Sequence, residues 1–248
     1  MSPVLLITGA GRGIGAATAK LAAARGYDVG VNYKSDAAAA AGVVDAVKAQ
    51  GRKAAAIAAD MAVESDVERM FKTVDEQLGP LTHFVYNTGV PGLAGRLDTA
   101  KSAMMREVLE VNVMGALWSL QQAIRRMSKK HGGQGGSIVL LSSVAADIGG
   151  PNEYVWYAAS KGAIESMTYG LSKELAGDGI RVNCVSPGAS DTRIHADAGQ
   201  TEKLQKVAPM IPMGRVGKPE ESAEAVLFLL SDAASYISGT VLRVAGGR

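Results

Sequence analysis

The chain has 248 residues, 26 of them basic and 24 acidic, with a formal net charge of +2 and a hydrophobic content of 47%. Charges of both signs are mixed along the sequence. This argues against a nucleic-acid-binding surface, which normally requires a clustered basic stripe. The apolar residues can supply a large core, but no apolar run approaches the ~18 residues of a membrane-spanning helix.

Two further features bear on the cellular compartment. The first residues, MSPVLLITGAG, lack a basic region, and their apolar run is shorter than the ~7–15 residues found in a signal peptide. A single cysteine, Cys184, excludes an internal disulfide and fits a reducing compartment. We therefore expect a soluble cytoplasmic protein that has no nucleic-acid or membrane partner.

Short apolar runs rich in β-forming residues alternate with longer helical patterns along the whole chain. Near-continuous apolar character is typical of strands that are buried on both faces of a parallel sheet, and the alternation calls for right-handed βαβ crossovers. We predict one α/β domain over residues 1–248, a doubly wound Rossmann-like fold with a seven-stranded parallel sheet and helices on both faces. The predicted strands are 4–8, 28–33, 53–59, 83–87, 137–142, 181–186 and 241–245, and the helical stretches lie near 13–25, 36–50, 64–78, 100–130, 155–177 and 219–231.

Glycines mark several predicted helix ends, where a left-handed cap has little steric cost; Gly177 is placed to end the fifth helix in this way. The segment 188–214 departs from the alternation because it has weak periodicity and two prolines. We predict a loop with short helical pieces there, beside the functional site. Together with the loops 90–98 and 145–156, this segment should line a substrate pocket.

The stretch ITGAGRGIG, residues 7–15, joins the first predicted strand to the first predicted helix. It lacks the G-x-G-x-x-G pattern but satisfies T-G-x-x-x-G-x-G, starting at Thr8. Glycines permit a tight turn and a close backbone approach, and the helix N-terminus offers unpaired N–H groups to a pyrophosphate. Alone, the stretch could reflect turn chemistry; at the end of the first strand of a βαβ pattern, it predicts a dinucleotide site. The residues assigned to this site are Gly9, Arg12, Gly13, Ile14 and Gly15.

The end of the second strand bears on the choice of dinucleotide. Many such folds place an acid there, which binds the ribose 2′-hydroxyl. Here Asp36 comes slightly late, and two cations, Arg12 and Lys34, suit a 2′-phosphate instead. This pattern favours NADP(H), although Asp36 keeps NAD(H) open and both cations could be ordinary surface charges. The residues assigned to this region are Asn32, Tyr33, Lys34 and Ser35.

Tyr157 and Lys161 stand four residues apart in the helical stretch YAASKGAIES. A helix places positions i and i+4 on one face, so both side chains can reach the same ligand. A phenol with a pKa of ~10 is a poor base at neutral pH. An ammonium about 5 Å away would favour the phenolate by roughly 3 kcal/mol, or about two pKa units, while desolvation opposes this shift. The alternative is a solvated polar face of the helix.

The glycine loop is followed, in order, by Asn112, Ser143, the pair Tyr157-x-x-x-Lys161 and the stretch SPGASDT at 186–192. In this combination the chain resembles the short-chain dehydrogenase/reductase family over essentially its whole length. The resemblance implies hydride transfer between a nicotinamide dinucleotide and a small-molecule carbonyl or secondary alcohol, with no metal required.

The resemblance also implies a role for each reacting group. Tyr157 would protonate the carbonyl oxygen during reduction, and Ser143 would hydrogen-bond that oxygen as negative charge develops. Lys161 would also bind the nicotinamide ribose, and Asn112 looks like the residue that positions a water for proton relay. Alternatively, Ser143 could form a turn and Asn112 could cap or kink its helix. Further cofactor contacts implied by the resemblance, each of which could instead be a strand-end turn residue, are Asp60, Met61, Asn87, Gly89, Pro187, Gly188 and Thr192.

Other observations leave open what the chain does and how it assembles. In YNTG, residues 86–89, a tyrosine and a threonine replace the family's asparagine and alanine. A competing hypothesis is a catalytically silent dinucleotide-binding sensor or scaffold, but the retained Ser143, Tyr157 and Lys161 favour the enzyme. The predicted helix at 100–130 is apolar on two faces, which indicates burial on both. The resemblance also implies that the protein forms a homodimer or a homotetramer, and we expect the tetramer.

Overall fold

The seven apolar runs form the strands of one sheet in this computed structural model, which describes residues 2–248. Every strand pair is parallel, as expected for runs that are apolar on both faces. The strands are β1 (Val4–Ile7), β2 (Asp28–Tyr33), β3 (Ala54–Ala58), β4 (His83–Tyr86), β5 (Gly136–Leu141), β6 (Ile180–Pro187) and β7 (Val241–Val244).

The strand order is β3-β2-β1-β4-β5-β6-β7. The chain winds from β1 to one edge of the sheet, crosses back to pair β4 with β1, and then winds to the other edge. The predicted doubly wound Rossmann-like fold is therefore confirmed. In such sheets the reversal point between β1 and β4 opens a crevice at the carboxyl ends of the strands, where ligands bind.

Helices cover both faces of the sheet because alternate strand residues point to opposite sides. Leu5 and Ile7 of β1 pack in the core cluster beneath the first, second and last long helices, whereas Val4 and Leu6 belong to the cluster on the opposite face. The helices are α1 (Gly13–Ala24), α2 (Ala37–Lys48), α3 (Glu64–Gln77), α4 (Ser102–Leu109), α5 (Gly115–Met127), α6 (Ala145–Ile148), α7 (Val155–Glu174), α8 (Ile194–Asp197), α9 (Lys203–Val207) and α10 (Pro219–Leu230).

The helix predicted at 100–130 is divided into α4 and α5 by a π-helical turn over Glu110–Met114. A π turn commonly marks a functional site. Here the hydroxyl of Tyr86 donates a hydrogen bond to the carbonyl of Val111 inside the turn. Tyr86, which departs from the family pattern in YNTG, is fully buried. Its hydrogen bond stabilises the π turn.

The structure also tests the predictions for the segment 188–214 and for the end of α7. The segment 188–214 does form a loop with short helical pieces, α8 and α9. The prediction of a left-handed cap at Gly177 was wrong. Helix α7 ends at Glu174, a short 3-10 turn follows, and the left-handed residue is Gly179, with φ of 78°.

Within residues 2–248, no helix is both long enough and apolar enough to cross a membrane.

Candidate active site

A long cleft runs across the carboxyl ends of the strands, from the loops after β1 and β2 to the start of α7. All but two of the predicted site residues line this cleft; Gly15 and Asn112 lie behind its wall. The lining residues are Gly9, Arg12, Gly13, Ile14, Asn32, Tyr33, Lys34, Ser35, Asp60, Met61, Asn87, Gly89, Ser143, Tyr157, Lys161, Pro187, Gly188 and Thr192.

The glycine loop has the geometry that its sequence predicts. Gly9 and Gly13 have φ values of 61° and 55°, in the left-handed region that disfavours side chains. A Cβ on Gly15 would lie 2.6 Å from both the carbonyl oxygen of Gly9 and the side-chain nitrogen of Asn87. The start of α1 has no side-chain cap and no acid in its first turn, so its N–H groups and positive dipole end face the cleft.

Asn32 holds this loop from beneath. Its buried side chain accepts a hydrogen bond from the Gly9 N–H at 3.0 Å and donates to the carbonyls of Ile57 and Ala59. One amide thus links β1, β2 and the end of β3. Asn32 therefore fixes the position of Gly9 in the glycine loop. Met61 also borders the cleft, and it packs in the core.

The cations at the nucleotide end each have a carboxylate partner. Arg12 pairs with Asp197 of α8 at 2.9 Å, and Lys34 pairs with Asp60 at 2.8 Å. The side chains of both cations remain more than half exposed, and such surface pairs contribute only about 0–1 kcal/mol. Asp36 accepts a hydrogen bond from the N–H of Ala39 and so caps α2.

At the other end of the cleft, the first turns of α7 bring Tyr157 and Lys161 together. The Lys161 side chain is only 3% exposed. Its ammonium donates a hydrogen bond to the carbonyl of Leu141 at 2.7 Å and lies 5.6 Å from the ring centroid of Tyr157. A Cβ on Gly89 would come within 3.0 Å of this ammonium. A side chain at position 89 would therefore push the ammonium by a few tenths of an ångström.

Burial controls the protonation of this pair. It raises the pKa of Tyr157 to about 12, although a hydrogen bond with Ser143 acts in the opposite direction. Burial also lowers the pKa of Lys161 to about 8. Of the two opposing influences expected on the phenol, desolvation outweighs the neighbouring charge, so that the pKa of Tyr157 lies above its ordinary value of 10. At neutral pH, both groups carry a proton.

The two adjacent serines after β5, Ser142 and Ser143, make different contacts. Ser142 is buried and contacts the carbonyl of Lys161 and the carboxylate of Glu165, at 3.1 and 2.8 Å, so it fastens β5 to α7. Ser143 lines the cleft beside Tyr157, and its hydroxyl accepts a hydrogen bond from the N–H of Ala145. Both serines border the cleft, but the buried Ser142 hydroxyl is engaged by these two contacts, whereas Ser143 is partly exposed.

Asn112 lies in the π turn, fully buried. Its side-chain oxygen accepts from the N–H of Val90, and its amide nitrogen donates to the Val90 carbonyl and to the Ser160 hydroxyl, at 3.0 and 2.9 Å. Ser160 in turn donates to the carbonyl of Tyr157. Asn112 therefore ties the loop after β4 to α7, and the irregular turn is consistent with the alternative that this residue kinks its helix.

Two residues of the site, Tyr154 and Asp197, were missed from the sequence, and a third, Thr8, was recognised only as the start of the glycine motif. The buried hydroxyl of Thr8 accepts hydrogen bonds from the N–H groups of residues 87 and 88, and so joins the ends of β1 and β4. Tyr154 packs edge-on against Tyr157, with ring centroids 5.6 Å apart; its spacing of three residues was the available signal. Asp197 lies 185 residues from Arg12 in the sequence, and no local sequence pattern predicts their contact.

The sheet, glycine loop and cleft define a Rossmann-type dinucleotide-binding protein. A model of the family described as Enoyl-(Acyl carrier protein) reductase matches residues 9–248. The chain is 44% identical over 245 residues to the Uncharacterized oxidoreductase YgfF of Escherichia coli (strain K12), covering 99% of each chain. It is 35% identical over 242 residues to Glucose 1-dehydrogenase 2 of Bacillus subtilis (strain 168), covering 98% of this chain and 93% of that relative.

A solved structure with the same fold is a double mutant of a Serratia marcescens short-chain dehydrogenase/reductase. Its TM-score is 0.91 at 32% sequence identity, over 99% of this chain and 97% of that chain. The protein therefore belongs to the short-chain dehydrogenase/reductase family and is an oxidoreductase. Members of this family normally use a nicotinamide dinucleotide.

Replacing Lys161 with methionine tests the burial of its charge. Because the pKa of Lys161 falls from its ordinary 10.5 to about 8 on folding, the unfolded chain binds more protons between these two values. The free energy of unfolding should then rise with pH in this window, by up to about 1.4 kcal/mol per pH unit. Denaturant unfolding at a series of pH values should show this rise in the parent and its loss in Lys161→Met.

Lys173→Met provides the matched control, because Lys173 is an exposed lysine on the same helix. This variant should keep the pH dependence of the parent. If Lys161→Met retained the same slope as the parent, the ammonium would not be desolvated in the folded protein.

Proposed function

We propose that the protein is an NADP(H)-dependent enzyme that reduces a carbonyl compound or oxidises the corresponding secondary alcohol, with Tyr157 as general acid and base. The observation that carries this proposal is the meeting of Ser143, Tyr157 and the buried ammonium of Lys161 at one end of a cleft whose other end is the glycine loop. A silent sensor or scaffold would need the loop but not this group of proton-transferring side chains. The enzyme is therefore the better supported of the two hypotheses.

The residues of the cleft fit the dinucleotide. The uncapped start of α1 suits a pyrophosphate, and Arg12 and Lys34 suit a 2′-phosphate. Asp60 would contact the adenine end. Lys161 uses one N–H for the Leu141 carbonyl, which leaves two donors for ribose hydroxyls. When bound, the nicotinamide supplies or accepts the hydride.

The remaining cofactor residues lie along the same path. Asn87 donates two hydrogen bonds to the carbonyls at the start of the glycine loop. Thr192 stands over this loop, since a Cβ on Gly13 would lie 3.3 Å from its methyl group. Pro187 and Gly188 end β6 beside the reacting groups. We propose that these residues close the cleft around the nicotinamide.

The burial of Tyr157 suits it to donate a proton. A phenol with a pKa of about 12 is protonated at neutral pH, so it can give its proton to a carbonyl oxygen as the hydride arrives. Ser143 would hydrogen-bond that oxygen while it carries negative charge. The phenolate that remains lies close to the ammonium of Lys161, whose attraction at an effective dielectric of ~20 amounts to roughly 3 kcal/mol.

Reprotonation of Tyr157 requires a route to solvent, and we propose Asn112 as part of it. Its side chain is fully engaged with Val90 and Ser160. A relay water would therefore be held by backbone groups of the π turn that Asn112 stabilises. In this account the role of Asn112 depends on the irregular helix as well as on its side chain.

The substrate end of the cleft combines apolar walls with a few polar groups. Apolar side chains of the cleft come from the loop after β4, from α4 and from α8, while Tyr154 and His195 are polar lining residues. We propose that the segment 188–214 selects the substrate, a small molecule that carries a carbonyl or hydroxyl group. The apolar residues that pack with Tyr157 include Val90, Met104 and Val108, and Leu93, Ile194 and Ala198 also line the cleft.

Tyr157→Phe tests the catalytic assignment with a panel of carbonyl compounds and NADPH. Without the hydroxyl, kcat should fall by about 10²–10⁴-fold, while NADPH affinity, measured by nucleotide fluorescence, stays close to that of the parent. Tyr169→Phe is the control, because Tyr169 is an exposed tyrosine on the same helix. Turnover by Tyr157→Phe at the parental rate would refute the assignment. Binding of NADPH without turnover of any compound by the parent would support the sensor.

Arg12→Ala tests the choice of dinucleotide. A charge-assisted hydrogen bond is worth about 1.5–3 kcal/mol, so loss of the contact with a 2′-phosphate should weaken NADPH binding roughly 10–100-fold. NADH, which lacks this phosphate, should be affected little. Arg25→Ala removes an arginine whose partner is Glu224, outside the cleft, and should change neither affinity. An equal loss for both dinucleotides in Arg12→Ala would contradict the proposal.

We also propose that the protein is a homotetramer. Three apolar side chains of the helical region 100–130 are left partly uncovered within the chain: Leu109, Met114 and Leu117 remain 44%, 36% and 38% exposed. An apolar surface of this kind favours a partner subunit. Sedimentation at micromolar concentration should give a tetramer, and Leu117→Glu should weaken it. A stable monomer of the parent would contradict the proposal.

A further inference from the structure

Tyr157 has an aromatic neighbour that connects it to the substrate segment. We propose that Tyr154 is a positioning residue for Tyr157, and that Lys203, in the segment 188–214, holds Tyr154 in place. The inference rests on the proposed function of Tyr157. It deepens that function, because it makes the segment that contacts the substrate also a support of the reacting phenol.

The first step of the argument is the contact between the two rings. Tyr154 immediately precedes α7 and is partly buried at the edge of the cleft. Its ring meets that of Tyr157 at 5.6 Å between centroids with an interplanar angle of 88°. Edge-to-face pairs of this kind contribute about 0.5–1.5 kcal/mol beyond the burial of their area. Tyr154 therefore restricts the tilt of the Tyr157 ring on the substrate side.

The second step concerns what holds Tyr154. Burial and the negative charge of the adjacent Glu153 raise the pKa of its phenol, and the ammonium of Lys203 lies 5.7 Å from its ring centroid. Lys203 also forms an ion pair with Glu153, in which the side chains are only 15% and 32% exposed. A partly buried ion pair is screened less by solvent than a surface pair. Lys203 thus contacts both the ring of Tyr154 and the carboxylate of the residue before it.

The third step is the position of Glu153 in the fold. The N–H of Gly95 donates to the Glu153 carbonyl at 2.7 Å, and the N–H of Ala94 donates to the carbonyl of Ala198 at 3.2 Å. The loop after β4, the approach to α7 and the substrate segment therefore meet at one residue. A movement of α9 is transmitted through Glu153 and Tyr154 to the phenol.

Positioning is sensitive to small displacements, because a misplacement of ~1 Å can lower the rate about 10²-fold. If Lys203 served only as part of the pocket wall, its loss would change KM. If it positions Tyr157 through Tyr154, its loss lowers kcat and leaves the nucleotide end of the cleft unchanged. The two readings therefore give different kinetic results.

Lys203→Met tests this distinction, with the best substrate of the carbonyl panel. We expect kcat to fall roughly ten-fold with unchanged NADPH affinity and an unchanged Tm. Lys203→Arg should restore kcat, because it keeps the charge. Lys206→Met is the matched control: Lys206 lies in α9, 73% exposed, and pairs only with the neighbouring Glu202 within the described chain. A change confined to KM in Lys203→Met would overturn the proposal.

A spectroscopic measurement decides the proposal even if no compound of the panel is turned over. With 3-fluorotyrosine incorporated, the ¹⁹F resonance of Tyr157 can be assigned by its absence in Tyr157→Phe. Lys203→Met should shift or broaden this resonance, and Lys206→Met should leave it unchanged. A Tyr157 resonance that is the same in parent and Lys203→Met would overturn the proposal. Failure of the carbonyl panel alone would count only against the proposed function.

Discussion

The ammonium of Lys161 is buried between the end of β5 and the phenol of Tyr157, and it donates a hydrogen bond to a backbone carbonyl. Removal of an ammonium and a phenol from water disfavours the charged form of each. The pKa of the lysine falls to about 8 and that of the tyrosine rises to about 12. The pKa values of the two groups are therefore shifted in opposite directions. At neutral pH the phenol keeps its proton and the lysine keeps its charge, as the proposed transfer of a proton from Tyr157 requires.

This arrangement requires a rigid surrounding, which the fold supplies through buried polar side chains. Ser142 fastens β5 to α7, and Asn112 with Ser160 fastens α7 to the loop after β4. Asn32 fixes the glycine loop at the other end of the cleft. Each is bonded to the backbone, and Ser142, Asn112 and Ser160 are bonded to side chains as well, so that few alternative arrangements are open to them. The sheet consequently fixes the glycine loop and the Tyr157–Lys161 pair relative to each other.

Much of this could be read from the sequence because it depends on local pattern. The bounds of β2 match the prediction at both ends, and the glycine loop and the Tyr157–Lys161 spacing follow from short-range geometry. The π turn could not be predicted, because it is braced by Tyr86 and Asn112 through contacts with residues more than twenty positions away. The net direction of the Tyr157 pKa shift also could not be predicted, because the ammonium and desolvation act in opposite directions. Spacing reveals which charge stands nearby, whereas burial depends on everything that packs around the group.

The most direct test of the account is the titration of the Tyr157 phenol, followed by NMR of ring-labelled tyrosine and assigned with Tyr157→Phe. In the protein without dinucleotide, Tyr157 should remain protonated well above pH 10, consistent with a pKa of about 12. Addition of NADP⁺ should lower that pKa, because the positive nicotinamide ring joins the ammonium of Lys161 near the phenol. A pKa below 10 in the free protein, or the same value with and without NADP⁺, would contradict the account.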